Sequence, residues 1–160
     1  MKPAIHEQRG SFLLEALVAI LIVALGVLGS VGLLARSVQD MDDAKNRGEA
    51  AYLANQYIAQ MWVSDRLTAN LTANYSSNPG TGANYLDFKN FVEQRLPNAN
   101  LYAQDVVVGV GPNGAAWPAS SIVTITLQWC PPGEMIGGFC RGAGINQPHK
   151  YDIRASIGAN

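Results

Sequence analysis

The chain has 160 residues, a formal net charge of −1 and only 14% charged residues, against 48% apolar ones. No basic patch accumulates, which argues against nucleic-acid binding as the main task. No HExxH, P-loop or Ser–His–acid arrangement with supporting context appears, so an enzyme is not expected, and neither is a cofactor.

The N-terminus opens with a polar lead-in that ends at Gly10. Glu15 follows, and then Ala16 to Ala35 run 20 residues without a charge. At about 1.5 Å per residue such a helix spans about 30 Å, enough to cross a bilayer core. An ionised side chain at membrane depth costs on the order of 3 kcal/mol, so Glu15 is a functional candidate unless it sits at headgroup level. A secretory signal peptide needs a net positive lead-in, and here Lys2 and Arg9 are offset by Glu7 and Glu15. Ser30-Val31-Gly32 still offers a small-x-small cleavage site, which would place a mature N-terminus near Leu33. Lys2 and Arg9 precede the run and Arg36, Lys45 and Arg47 follow it, so basic residues do not orient the chain. Gly26, Gly29, Ser30 and Gly32 weaken a helix in water but allow close helix packing in a membrane.

From Arg36 the pattern turns amphipathic and continues as helix to about residue 66. Val38, Met41, Ala44, Ala51, Tyr52, Ile58, Ala59 and Trp62 recur at helical spacing and are the expected buried face. Asp40-Met-Asp-Asp43 reads as a solvated face, because a calcium loop needs a turn glycine and a distal glutamate at fixed offsets. Residues 67–84 are rich in Asn, Thr, Ser and Gly and predict a loop. Asn70 and Asn74 there fit glycosylation sequons, a use not expected here. Tyr85, Phe88, Val92 and Leu96 predict a short helix that Pro97 stops.

The remainder predicts strands. Asp105 to Val110 is a β-branched run. Val123, Ile125, Leu127 and Trp129 alternate with polar residues, as do Tyr151, Ile153, Ala155 and Ile157. These predict an antiparallel sheet with one face on a helix, and the amphipathic half of the long helix is the expected partner. Gly109 to Gly114 matches G-x-G-x-x-G literally, but a strand rather than a helix N-terminus follows, so a hairpin loop is the better reading. Cys130 and Cys140, an even count beyond the apolar run, favour a disulfide closing a loop rich in Pro and Gly. A metal site is not expected, because only His149 lies near them and zinc wants four ligands.

Residues Arg9-Gly10-Ser11-Phe12-Leu13-Leu14-Glu15 resemble the processing site of type IV pilins and type II secretion pseudopilins. The run from Glu15 to Gly29, with Ala51-Tyr-Leu-Ala-Asn-Gln and Ala59-Gln-Met-Trp, is most similar to minor pilins of the PilV type. The likeness covers residues 1 to about 66. It departs at Ser11, where the family commonly has Phe or Met, and no proline falls between Pro3 and Pro79, where major pilins often carry one in the helix.

The resemblance implies an α+β pilin, a long N-terminal helix packed on a small antiparallel sheet. It implies a leader 1–10 cut by a prepilin peptidase after Gly10, and N-methylation of the new terminus at Ser11. Residues 11–35 would be the membrane and filament-core helix, and 36–160 a periplasmic head (helix half 36–66, loop and short helix 67–97, sheet 101–160). Glu15 of one subunit would meet the free amine of its neighbour, which keeps the carboxylate ionised in low dielectric and sets axial register. Expected partners are other minor and major pilins, the peptidase and the inner-membrane assembly platform, in a priming or tip complex. The expected location is the bacterial inner membrane and then the pilus. The loop Pro131 to Phe139 becomes a candidate contact patch or a plain structural staple. Two other readings remain: a minor pseudopilin of a type II secretion system, and a membrane-anchored binding module that never polymerises. Motility, adhesion and DNA uptake are not distinguished.

Overall fold

The computed structural model describes residues 9–111, 120–141 and 147–158. The chain has the expected α+β composition, a long N-terminal helix and a small antiparallel sheet. Helix α1 is Arg9–Val63, α2 is Thr68–Tyr75 and α3 is Ala83–Arg95. The strands are β1 Asp105–Val110, β2 Ser120–Trp129, β3 Met135–Ile136, β4 Phe139–Cys140 and β5 His149–Gly158. Residues form two compact units, one ending at Asp42 and the other beginning at Asp43.

The first unit buries nothing of its apolar helix. From Phe12 to Leu34, fifteen large apolar side chains are each 45–74% exposed, on every side of α1. A helix of a water-soluble domain hides one stripe and wets the other. This segment has no stripe and is long and apolar enough to cross a membrane.

The second unit is a helix layer on a three-stranded sheet of order β1-β2-β5, antiparallel throughout. Strand β2 is central because its alternation is the cleanest: Ser121, Val123, Ile125, Leu127 and Trp129 are all buried. Val106 pairs with Ile125 on one side and Ile153 pairs with Ile125 on the other, so three β-branched residues line up across the core face. The antiparallel pairing of Val110 with Ser121 makes the G-x-G-x-x-G segment part of a hairpin connection. Residues 112–119 of it lie outside the described residues.

The helix layer corrects two expectations. The face of α1 on the sheet is Ala50, Leu53, Ala54, Tyr57, Ile58 and Met61, whereas Tyr52 is 58% and Trp62 44% exposed. Ala51 is half-buried, Ala44, Ala59, Val38 and Met41 are not core residues, and only Ile58 of the expected stripe is fully in place. The true stripe follows i, i+3, i+4, i+7 through Leu53 and Tyr57, about one residue round from a stripe drawn through the two bulkiest aromatics. Trp62 stays at the surface with Arg66 over its ring at 5.5 Å.

The second correction is that 68–75 is helix, not loop. Thr and Asn are poor helix formers, so propensity predicted wrongly. Leu71 and Tyr75, one turn apart, are both buried, and burial overrides propensity. Gly82 then lets α3 start against the end of α2, since a Cβ there would collide with the carbonyl oxygens of Ala73 and Asn74. Helix α3 is as expected, with Tyr85, Phe88 and Val92 inward and Leu96 closing the end.

Three aromatics tie the helices together. The rings of Tyr57 and Phe88 stack with centroids 3.9 Å apart, and Tyr57 Oη donates to the carbonyl of Tyr75 at 2.9 Å. Burial, with Tyr75 and Tyr85 nearby, pushes the Tyr57 hydroxyl well above the ordinary tyrosine range. Gln104 is buried and fully used: Nε2 donates to the carbonyls of Ala99 and Gln128, and Oε1 accepts from the Gln128 amide at 2.9 Å.

Leu53→Ala is expected to destabilise the head by about 2–5 kcal/mol, and Tyr52→Ala by less than about 0.5 kcal/mol. Thermal melts of the two variants check which face is buried. Tyr57 holds its proton more tightly folded than unfolded. Its contribution is therefore complete below the unfolded pKa of about 10 and is lost as pH rises above it. Denaturant titrations above pH 10 are expected to show falling stability, with a shallower fall in Tyr57→Phe.

Candidate functional site

Two regions carry the sequence candidates. In the first, Gly10 and Ser11 both fall within α1, and residues 1–8 of the expected leader lie outside the described residues. Glu15 lies on α1, exposed, with no ion-pair partner among the described residues. It is the one acid in an otherwise apolar stretch that the chain itself leaves uncovered. Gly26, Gly29 and Gly32 have nothing within 4 Å of an added Cβ, so they leave flat, open surface along the same helix. Ser30 turns its hydroxyl inward, Oγ donating to the Gly26 carbonyl at 3.0 Å, and so adds little polarity to it.

In the second region Cys130 and Cys140 are joined as a disulfide. The loop they close begins with a 3₁₀ turn at Pro132–Glu134 and ends in the β3–β4 hairpin. Gly137 and Gly138 turn that hairpin with φ of +61° and +84°, a pair of positive angles that a two-residue turn of this kind demands. Ile136 and Phe139 face each other across the turn and stand 51% and 55% exposed. The patch expected between Pro131 and Phe139 is thus an apolar hairpin tip.

The base of this loop is anchored from three sides. The Cys130 amide donates to the Pro97 carbonyl at 3.0 Å, and Asn98 Nδ2 donates to the Cys130 carbonyl at 2.8 Å. Asn98 reaches it from a left-handed backbone conformation, φ 54°. His149, at the start of β5, stacks on Trp129 and places Nε2 2.7 Å from Glu134 Oε2. Its Nδ1 lies 3.0 Å from Asp43 Oδ1. Asp43 Oδ2 also takes Arg47 Nε at 2.8 Å.

Sequence reasoning missed this clamp. Asp43 was expected on a solvated face and is half-buried, and His149 was weighed only as a metal ligand. The two carboxylates sit on opposite nitrogens of the ring, so they do not converge on one point as metal ligands must. No local spacing signals the clamp, because its parts come from α1, the disulfide loop and β5.

A scan against protein-family models and searches of curated proteins and of solved structures find no match to this chain. The long apolar N-terminal helix and the small antiparallel sheet are nonetheless pilin-like in general plan.

Opening the disulfide by reduction, or as the double variant Cys130→Ser and Cys140→Ser, is expected to cost about 3 kcal/mol for a loop of this length. His149→Ala keeps the disulfide but releases Glu134 and Asp43. Hydrogen exchange at Met135 to Phe139 is expected to accelerate in both, and His149→Ala alone should leave the protection of β2 intact.

Proposed function

We propose that this chain is a minor subunit of a type IV pilus, made as a prepilin and built into the filament through its N-terminal helix. One observation carries the reading. From Phe12 to Leu34 the helix presents apolar side chains in every direction and carries a single carboxylate, five residues after Gly10, and the chain continues into a separate disulfide-bearing head. A lone membrane anchor does not call for an acid at that depth, whereas a helix that bundles with copies or relatives gives it a use.

In this reading the peptidase cuts between Gly10 and Ser11 and methylates the Ser11 amine. The cationic terminus of one subunit then neutralises Glu15 of the next. Helices 11–35 fill the filament core and the heads cover it. Wrong axial registers are rejected because they strand a charge in a medium that solvates it poorly. Gly26, Gly29 and Gly32 let neighbouring helices approach closely. The hairpin tip at Ile136 and Phe139 supplies an apolar contact on the head. The chain is held in the inner membrane before assembly and on the pilus after it.

The mass of the mature N-terminal peptide tests the processing step, and a methylated Ser11 is the expected result. A terminus near Leu33, or an intact leader in working cells, would refute it. Glu15→Ala is expected to insert and be processed normally yet be missing from sheared pili. Leaving the neighbour's amine unpaired costs about 3–5 kcal/mol, which lowers incorporation by a hundredfold or more. Normal incorporation of that variant would remove the register role. Loss of protein secretion rather than twitching on deletion of the gene would move the chain to the secretion apparatus.

A further inference from the structure

The sheet of the head has two edges, and the chain caps one of them. At β1 the Ser77 amide donates to the Val106 carbonyl at 2.9 Å, and Ser77 Oγ accepts from the Val106 amide at 3.1 Å. At the other edge β5 pairs with β2 over all ten of its residues, and no backbone group on its outer side is bonded among the described residues. The core face is part-open along the same edge. Val123, Ile125 and Leu127 of β2 are fully buried, whereas their β5 partners Ala155, Ile153 and Tyr151 are only partly buried. Strand edges are commonly blunted by a proline, a bulge or an inward-pointing charge. β5 has no proline, its ladder with β2 is unbroken, and Lys150, Asp152 and Arg154 all lie on the exposed face.

The sequence of β5 is its own complement. Two copies of an edge strand pair antiparallel about a two-fold axis normal to the sheet. That axis must pass through a residue, because otherwise core-facing side chains would sit opposite exposed ones. With the axis at Ile153 the strands pair from His149 to Ile157, and Asp152 stands opposite Arg154 on two rungs. Ile153 then meets itself and Tyr151 meets Ala155, which covers the part-open apolar row. The neighbouring registers fail on charge. An axis at Asp152 sets Lys150 against Arg154, and one at Arg154 sets two arginines face to face. An axis at Tyr151 or Ala155 leaves more of the strand unpaired. Both charged groups are available: Asp152 takes one hydrogen bond, from Thr126 Oγ1 at 2.6 Å, and Arg154 has no ion pair among the described residues. We propose that the open edge of β5 takes a second copy of this chain, joined β5 to β5 in the register centred on Ile153, so that one sheet runs across two heads.

The pairing needs no filament and is read from chains held one to a phospholipid nanodisc. Analytical ultracentrifugation of the full chain in such discs is expected to show pairs of discs that grow with concentration. Amide exchange along β5 should slow as they form. Asp152→Arg and Arg154→Asp each turn both attractive rungs into repulsive ones, and each should weaken pairing about thirtyfold. Mixed together, the two variants again set opposite charges on both rungs and should pair as the unaltered chain does. Lys150→Ala, opposite Ser156, should change little. Thermal melts of each variant check that the head is folded. Discs that stay single, pairing that survives either reversal, or two folded reversal variants that do not pair with each other would overturn the assignment. So would pairing that leaves β5 exchange unchanged.

Discussion

Water and the first half of α1 are incompatible, and most of what distinguishes this chain follows from that. Fifteen bulky apolar side chains stand open between Phe12 and Leu34, and nothing among the described residues covers them. Each contributes about 1.5–3 kcal/mol when taken out of water, so the total exceeds the whole stability of an ordinary domain. The segment is long and apolar enough to cross a membrane, and lipid or a bundle of other helices is a medium that suits it. Within either medium van der Waals packing and charge choose the neighbours, since apolar surface alone no longer discriminates. Small residues at 26, 29, 30 and 32 and the single acid at 15 are the two features of the segment able to discriminate.

The head solves a different problem with the same helix. From Asp43 onward α1 has one buried stripe, and that stripe meets a sheet whose central strand is buried at every second residue. The core is closed at one end by Trp129 and Cys130, which are both fully buried. Beyond them the chain leaves the sheet, and the disulfide returns it at Cys140. Staple and clamp therefore act at one place. Pro97, Asn98 and His149 fix the base of the loop, and the two glycines leave its tip to be shaped by the turn alone.

How much of this was legible depended on the reach of each signal. Period-2 alternation in 121–129 and 151–157 is local, and both strands and their core faces follow from it. The cysteines, ten residues apart, pair as their even count suggested. The face of α1 was legible only as amphipathic. Sequence gives the period, but its phase is set by the sheet that closes over Leu53 and Tyr57 rather than Tyr52 and Trp62. Helix α2 was hidden because its composition argues for a loop, and the burial of Leu71 and Tyr75 that decides otherwise is tertiary. The clamp joins residues 43, 134 and 149, and no window spans them. Glu15 was legible for the opposite reason: a charge among twenty uncharged residues needs no partner to be conspicuous.

Separate settings for anchoring and for the head's own surface have a consequence for how the chain can vary. The core of the second unit draws on α1 only from Ala50 onward. The hairpin tip at Ile136 and Phe139 lies outside that core. Substitutions at the tip leave the sheet packing and the apolar helix unchanged. In the apolar part of α1, Glu15 is exposed and Gly26, Gly29 and Gly32 face open space. A chain built this way can change the exposed surface of its head without altering the apolar segment. The physical reason is that the two halves of one helix answer to different solvents.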